Sequence, residues 1–426
     1  MLTLMMVIMF GCLILSFPFM VALIVAPIAI IFGYFPFLNY TVLIQQMIGG
    51  VQPMALVAVP MFIFAADIMT AGKSADRLLD LVMKFIQHVK GGMPIVTAAS
   101  CTLFGAVSGS TQATVCAIGG PLRPKLLSMG YPSGFSTALI INASDIALLI
   151  PPSIGMIVYG VITGTSVGEM FIAGIGPGVL ILCLFAVFCY IYSHLRKIPI
   201  YHKATWSERF QAMRGAVLPL GFPAIIIGGI YTGIFSPTEA AAVSVLYAFI
   251  LEIIVFRTVS LREFPSIALS TGIITSVVFI LVGAGVAFSW IVSFARIPQM
   301  ILPPIIGTDP SQIWILVVVS IAFFLGCMFV DPIVVIIILA PIFHPVAINA
   351  GIDPVLVGTI VTLQCAIGSA TPPFGCDIFT AIAVFKRPYF EVVKGTPPFI
   401  VILLMSNVLL IYFPQIALFL RDLAFR

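Results

Sequence analysis

Apolar runs of about 20 residues, enough to cross a bilayer core as a helix, recur along nearly the whole chain. They dictate the class of fold. Only 8% of the 426 residues are charged, whereas soluble domains carry roughly a quarter. The runs are also too long for the short alternating strands of a membrane barrel. The chain is therefore expected to be an all-α polytopic membrane protein. Residues 1–32 are apolar from the start, with no basic n-region and no small-residue cleavage site, and read as a retained spanning segment rather than a signal peptide. The net charge of +4 is too small and scattered for nucleic acid. The eight cysteines sit in apolar segments without a CxxC pair, as small core hydrophobes do.

Single crossings are expected over 3–33, 51–71, 171–193, 215–233, 238–256, 268–290 and 397–420. Segments 133–163 and 354–384 are too long for one straight span and are interrupted by Pro151-Pro152 and Pro372-Pro373. Between these lie 93–127 and 311–349, each a pair of half-length apolar runs parted by a Gly/Ser or Asp-Pro break. They read as re-entrant helical hairpins, because irregular backbone at membrane depth is tolerated only where protein or a watery cavity satisfies it. Arg196, Lys197, Lys203, Arg209 and Arg214 make the 196–214 loop cytoplasmic by the positive-inside rule. Alternation from that loop gives nine crossings, with the N-terminus cytoplasmic and the C-terminus periplasmic. Segment 74–92 is amphipathic and reads as an interfacial helix.

An offset of 221 superposes Gly105 on Gly326, Pro124 on Pro345, Gly130 on Gly351 and the two Pro-Pro pairs on each other. The chain thus contains a repeat: a first unit over 1–214, a linking helix at 215–237 and a second unit over 238–426. Parity of crossings inverts the second unit relative to the first. Inverted repeats with paired discontinuous helices mark a secondary transporter with its site at the midplane.

Chemistry is expected at four places. The first hairpin tip, FGAVSGSTQAT, offers Ser108, Ser110 and Thr111 as caps for a half-helix whose N-terminus would attract an anion. At the second tip, Asp331-Pro332 reads equally as a cation ligand and as a plain helix cap. The Pro-Pro breaks unwind their spans and free carbonyls, with Ser153, Ser369 and Thr371 adding hydroxyls beside them. Asn142 and Asp145 share one face ahead of the first break, and an intramembrane acid is a functional candidate by default. All these donors are hard oxygens, which suit Na⁺ over a transition metal, with H⁺ left open by Asp145. Asp67, Glu239 and Glu252 border their spans and read as caps or snorkelling groups. An intramembrane enzyme is disfavoured: the AVSGS string lacks the GxSG form, and His88, His194, His202 and His344 map to span ends or loops. A channel seldom needs two hairpins facing two unwound spans.

The strings LFGAVSGSTQAT, ALIINASDIALLIPPSIGMIVYG, GEMFIAGIGPGVLI and GSATPPFG resemble the large, DctM-like membrane subunit of tripartite ATP-independent periplasmic (TRAP) transporters. ADIMTAGKSADRLLDL, STQATVCAIGGPLRP and TGTSVGEMFIAGIGPG resemble its sialic-acid branch more than its C4-dicarboxylate branch. The resemblance implies a Na⁺-coupled importer of an organic acid in the bacterial inner membrane, working as an elevator. It also implies a separate small four-helix membrane subunit and a periplasmic substrate-binding protein. Carried over by position, it puts one Na⁺ on Ser108, Gly109, Asn142, Asp145 and Pro151, and a second on Gly326, Asp331, Gly368, Ser369 and Thr371. The substrate would lie near Ser110, Thr111, Gln112 and Ser153. A C4-dicarboxylate permease, or a carrier independent of a binding protein, would share this layout.

Overall fold

The breaks that proline and glycine impose on the sequence are breaks in the structure. A computed structural model describes residues 1–307 and 310–425 as helices joined by short turns. The first hairpin is Gly92–Ser108 and Thr111–Ser128, and the second is Gln312–Cys327 and Pro332–Asn349. Each is followed by a discontinuous span. Ser133–Ser144 runs through a 3₁₀ turn, Asp145–Leu148, and resumes as Ile154–Thr163; Pro354–Ser369 resumes as Cys376–Phe385. The helices beginning at Thr111 and Ser133 recur at Pro332 and Pro354, the offset read from the sequence. Gly130 and Gly351, which close the hairpins, both have positive φ, a conformation glycine adopts without a side-chain penalty.

Ion pairs at the two ends of the molecule show the inversion. At one end Arg123, at the base of the first hairpin, donates to Thr137 and Ser133 and lies 3.7 Å from Glu391, just beyond the second discontinuous span. The 196–214 side is here too, since Tyr131 Oη bonds Ser193 Oγ at 2.8 Å. At the other end Arg421 bridges Asp353, at the base of the second hairpin, and Glu169, just beyond the first discontinuous span. The base of each hairpin thus meets the far end of the other unit's broken span, as two inverted copies require.

Long helices complete the molecule: Val167–Leu195, Trp206–Tyr231, Pro237–Phe249 continuing as a π-helical turn to Val255, and Phe264–Phe294. Two single-crossing expectations need correction. Segment 3–33 forms two packed helices, Leu2–Ile14 and Phe19–Tyr34, because Pro18 disfavours helix in the residue before it and Ser16 sits at φ 59. Segment 397–420 breaks at Phe413-Pro414 into Pro397–Tyr412 and Gln415–Ala424, bent by 59°. The bend lays the second helix against Val167–Leu195, where a β-carbon on Gly176 would overlap the Ile416 carbonyl. His344 is also not at a span end: it lies within Pro332–Asn349, 2.7 Å from Tyr159 Oη.

The amphipathic helix is Ser74–Ile86, and its anchor is distant in sequence. Glu252, fully buried, accepts bonds from the Lys73 and Ser74 amides at 3.1 Å each and from the Ser74 and Thr258 hydroxyls. Its expected capping role is therefore real, but it caps a helix 178 residues away rather than its own. Glu239 caps its own helix through the Ser236 amide, and Asp67 accepts from Thr271 at 2.6 Å. Glu252→Ala strands several buried donors, at about 1–3 kcal/mol for each group left unmade. We expect a lower melting temperature in detergent and faster hydrogen exchange over residues 73–77, with exchange at the hairpin tips unchanged; intact protection at 73–77 would refute the anchor.

Candidate functional site

Each tip is seated on its own unit's break. Gly109, at φ 60, ends the first arm of the first hairpin in a left-handed turn, and a β-carbon there would overlap the Pro152 carbonyl oxygen. Gly105 approaches Ala147 in the same way, with 2.6 Å between a built β-carbon and the Ala147 Cα. In the second unit the Phe374 amide donates to the Met328 carbonyl at 3.1 Å, and Gly368 lies against Cys327. Both Pro-Pro peptide bonds are cis.

Side chains then cap the half-helices at the middle of the molecule. Ser110 Oγ accepts from the Ala113 amide at 3.4 Å, Ser153 Oγ from Met156 at 3.3 Å and Asp331 Oδ1 from Ile333 at 2.9 Å. Their N-termini converge there, which gathers partial positive charge and free amides at one place. Ser108 is turned inward, its hydroxyl 3.2 Å from Thr114 Oγ1. Thr371 Oγ1 donates to Ile367 O at 2.6 Å, tightening the turn before the second break. Asp331 thus does cap its helix, and its carboxyl remains half-buried beside Gln112 of the other tip.

A residue that the motif reading passed over joins the two units. Asp377, fully buried, accepts from Thr111 Oγ1 and from Ser369 Oγ, each at 2.7 Å. The first bond crosses from the first tip to the second discontinuous span. Asp145 is its neighbouring acid, and Asp331 and Cys376 lie close by. Asp377 eluded the repeat comparison because the offset aligns it with Met156. Its signal was present all the same: it is the lone charge in the apolar run CDIFTAIAVF. Thr111, expected at a substrate site, is committed to this acid, and Ser369, expected at an ion site, shares its hydroxyl between the acid and the Ala366 carbonyl, also at 2.7 Å.

Other polar groups have no partner. No N–H or hydroxyl donates to either Asp145 oxygen, whose polar neighbour is the Asp377 carboxyl, and Asn142 Oδ1 and Gln364 Oε1 are also buried without a donor, although Asn142 Nδ2 reaches the Ala138 carbonyl at 2.8 Å. No lysine, arginine or histidine among the described residues pairs with Asp145, Asp331 or Asp377. A cleft of about 750 Å³ lies elsewhere, between Pro53–Ala55, Gly164–Gly168 and Ile234–Pro237, and contains none of the tip or break residues. The core site is a set of oxygens, three of them carboxylates, beside the three capped half-helix N-termini at Ser110, Ser153 and Asp331.

Comparison with known proteins decides what this architecture belongs to. Residues 6–416 match the profile described as "Tripartite ATP-independent periplasmic transporter, DctM component". The chain belongs to that family. The permease is 62% identical to the ectoine TRAP transporter large permease protein of Halomonas elongata over 425 residues, covering 100% of both chains. It is 63% identical to the ectoine/5-hydroxyectoine TRAP transporter large permease protein of Ruegeria pomeroyi, over 97% of each. With the C4-dicarboxylate permease of Pseudomonas aeruginosa the identity is 36% over 85% of each. The sialic-acid branch suggested by the motifs finds no support among these relatives. The crystal structure of the Alcanivorax borkumensis YdaH transporter superposes at a TM-score of 0.62, with 14% identity over 88% of each chain, a likeness of fold alone. The permease is thus a multi-pass transporter subunit and not an enzyme, and its family implies the inner membrane, a small membrane subunit and a periplasmic binding protein.

The seating of the first tip is open to a direct test. Gly109→Ala forces a β-carbon into the Pro152 carbonyl at a backbone angle that L side chains rarely adopt. Gly120, on the same hairpin, faces open space. We expect Gly109→Ala to lose nearly all uptake in proteoliposomes while Gly120→Ala keeps wild-type rates, both assembling as judged by size-exclusion profile.

Proposed function

We infer that the permease imports an ectoine-type zwitterion, coupled to Na⁺, with the hairpins and discontinuous spans moving as an elevator against the long helices. The observation that carries the substrate class is the charge of the site. Three carboxylates converge with no cationic side chain, so a purely anionic substrate meets a repulsive field at low dielectric. Ectoine is a cyclic amidinium carboxylate. Its carboxylate fits the half-helix N-termini near Ser110, Gln112 and Ser153, and its delocalised cation fits the Asp331 carboxyl that borders the two tips. The end-to-end identity of 62–63% with two permeases named for ectoine agrees with this reading.

Na⁺ coupling is supported by the donor set. Asn142 Oδ1 and the Asp145 oxygens receive no N–H or hydroxyl donor, and the helix Gly92–Ser108 ends at Gly109 against the Pro151-Pro152 break. Oxygen-only donors with a single formal charge suit Na⁺. We place a second ion at the corresponding break of the other unit, where Gly368 lies against Cys327 and the Phe374 amide meets the Met328 carbonyl, which leaves Asp331 to the substrate's cation. Loading Na⁺ first would offset the charge of the buried carboxylates before the tips close on substrate, with Asp331 left to meet the amidinium. For the elevator, the supporting observation is a contact: a β-carbon on Gly285 in the long helix Phe264–Phe294 would overlap Ile337 of the second hairpin, and Ser289 bonds the Ile337 carbonyl at 2.9 Å. The missing side chain at Gly285 is what lets the hairpin come this close to the long helix.

The test is reconstitution with the small subunit and the binding protein, followed by uptake of labelled ectoine, sialic acid and a C4-dicarboxylate with and without an inward Na⁺ gradient. Ectoine alone should accumulate, and only with the gradient; sialic-acid accumulation would overturn the substrate reading. Asp145→Ala should abolish Na⁺-driven uptake in assembled complexes. Unchanged uptake by that variant would remove Asp145 from the coupling.

A further inference from the structure

Asp145 and Asp377 belong to different repeat units, yet their carboxyls are neighbours in a fully buried place. Their surroundings differ. Asp377 has two hydroxyl donors holding its two oxygens, whereas Asp145 has none. The two carboxyls interact directly, and unit charges of one sign in contact repel by a few kcal/mol, on the order of 4 at an effective dielectric of ~20, before any desolvation is counted. No basic side chain among the described residues offsets that charge. Something positive has to stand between them whenever both are ionised.

A second observation, independent of the acids, points to what that is. Asn142 Oδ1, one turn before Asp145, is buried and unpartnered. So is Gln364 Oε1, on the helix Pro354–Ser369 that packs against the Asp145–Leu148 turn. Amide oxygens do not take up protons in water at ordinary pH, but they ligate hard cations well. Their orphaned state in a dry core is costly unless a ligand satisfies them.

We propose that Asp145 and Asp377 hold one Na⁺ between them, at a site that exists only while the two repeat units are in contact. The site rests on the Na⁺ coupling argued above and adds Asp377 to it, a residue outside the tips and breaks. Thr111 then has a role besides substrate contact: its hydroxyl fixes the Asp377 carboxylate from the first tip, so that ion occupancy stiffens the joint between tip and opposite span. The inter-unit ion and the position of the first tip are thereby linked.

The experiment uses the complete complex in proteoliposomes. Uptake is measured against Na⁺ concentration at fixed pH, and charge moved per substrate is taken from the reversal potential, for wild type, Asp377→Asn and Asp377→Glu. Asp377→Asn removes the charge and keeps one acceptor oxygen for one of the two hydroxyls, while the other hydroxyl can turn to accept from the new amide NH2. It should lower the Hill coefficient for Na⁺, raise half-saturating Na⁺ about tenfold or more, and reduce the charge moved; Asp377→Glu should retain the wild-type charge. Purified Asp145→Asn, which loses no hydrogen bond, provides a readout independent of turnover: Na⁺ should raise the wild-type melting temperature over K⁺, and raise that of Asp145→Asn and Asp377→Asn less. Wild-type Na⁺ dependence retained in full by Asp377→Asn sinks the inter-unit site and leaves the coupling intact. Wild-type uptake driven by a pH gradient at constant Na⁺, and lost in Asp377→Asn, would instead place a proton on the pair. Wild-type uptake indifferent to Na⁺ overturns the coupling itself.

Discussion

Backbone carbonyls and amides left over by a helix break have no water to turn to at membrane depth, and the fold depends on how they are matched. The permease matches them by pressing each hairpin tip onto the break of its own unit, Gly109 against Pro152 and Met328 against Phe374. This explains why glycine and proline carry the repeat. Proline creates the break, glycine permits the approach, and the residues between are free to differ. The asymmetry between units follows: the frame recurs at a fixed offset, whereas Asp145 aligns with Ala366 and Asp377 with Met156. Two similar halves thus build one site with unlike contributions from each.

Charge placement sorts the acidic residues. Those near the ends, Glu169, Asp353 and Glu391, pair with arginines and tie one unit to the other. Glu252 and Asp67 serve backbone amides and a hydroxyl in the long helices. Among the described residues the three acids at the centre have no cationic partner, although burial of charge there is costliest. A structure that leaves its most expensive charges unpaired has reserved them for something that arrives with its own charge. The family's activity, import of a small solute, supplies candidates of both kinds, a cation and a substrate.

Much of this was legible in the sequence. The hairpins, the two broken spans and their inversion came from Gly and Pro at one offset and from the basic loops, and the described helices start where those signals put them. Breaks in continuous apolar sequence were harder to see. Pro18 and Pro414 divide segments whose hydropathy alone reads as single spans, because the window average does not register one missing amide. The acid pair was hidden for another reason. Asp377 lies beyond the motif in sequence, and its neighbour is a residue 232 positions earlier that no local pattern connects to it. The substrate branch was misjudged because the motifs around the tips report the architecture that all such permeases share, while the charge of the central site is set by single residues.

The bond network around Glu252 has a consequence for how the chain is made. The amphipathic helix that begins at Ser74 takes its cap from a side chain 178 residues later, closed off by Thr258. At roughly 5–20 residues per second on the ribosome, that helix waits on the order of ten seconds or more with its first amides unmet. Within that interval the first hairpin and the first broken span are themselves synthesised. The start of that helix is therefore capped only once the chain has reached the beginning of the second unit, after the whole first unit and the linking helix have been made.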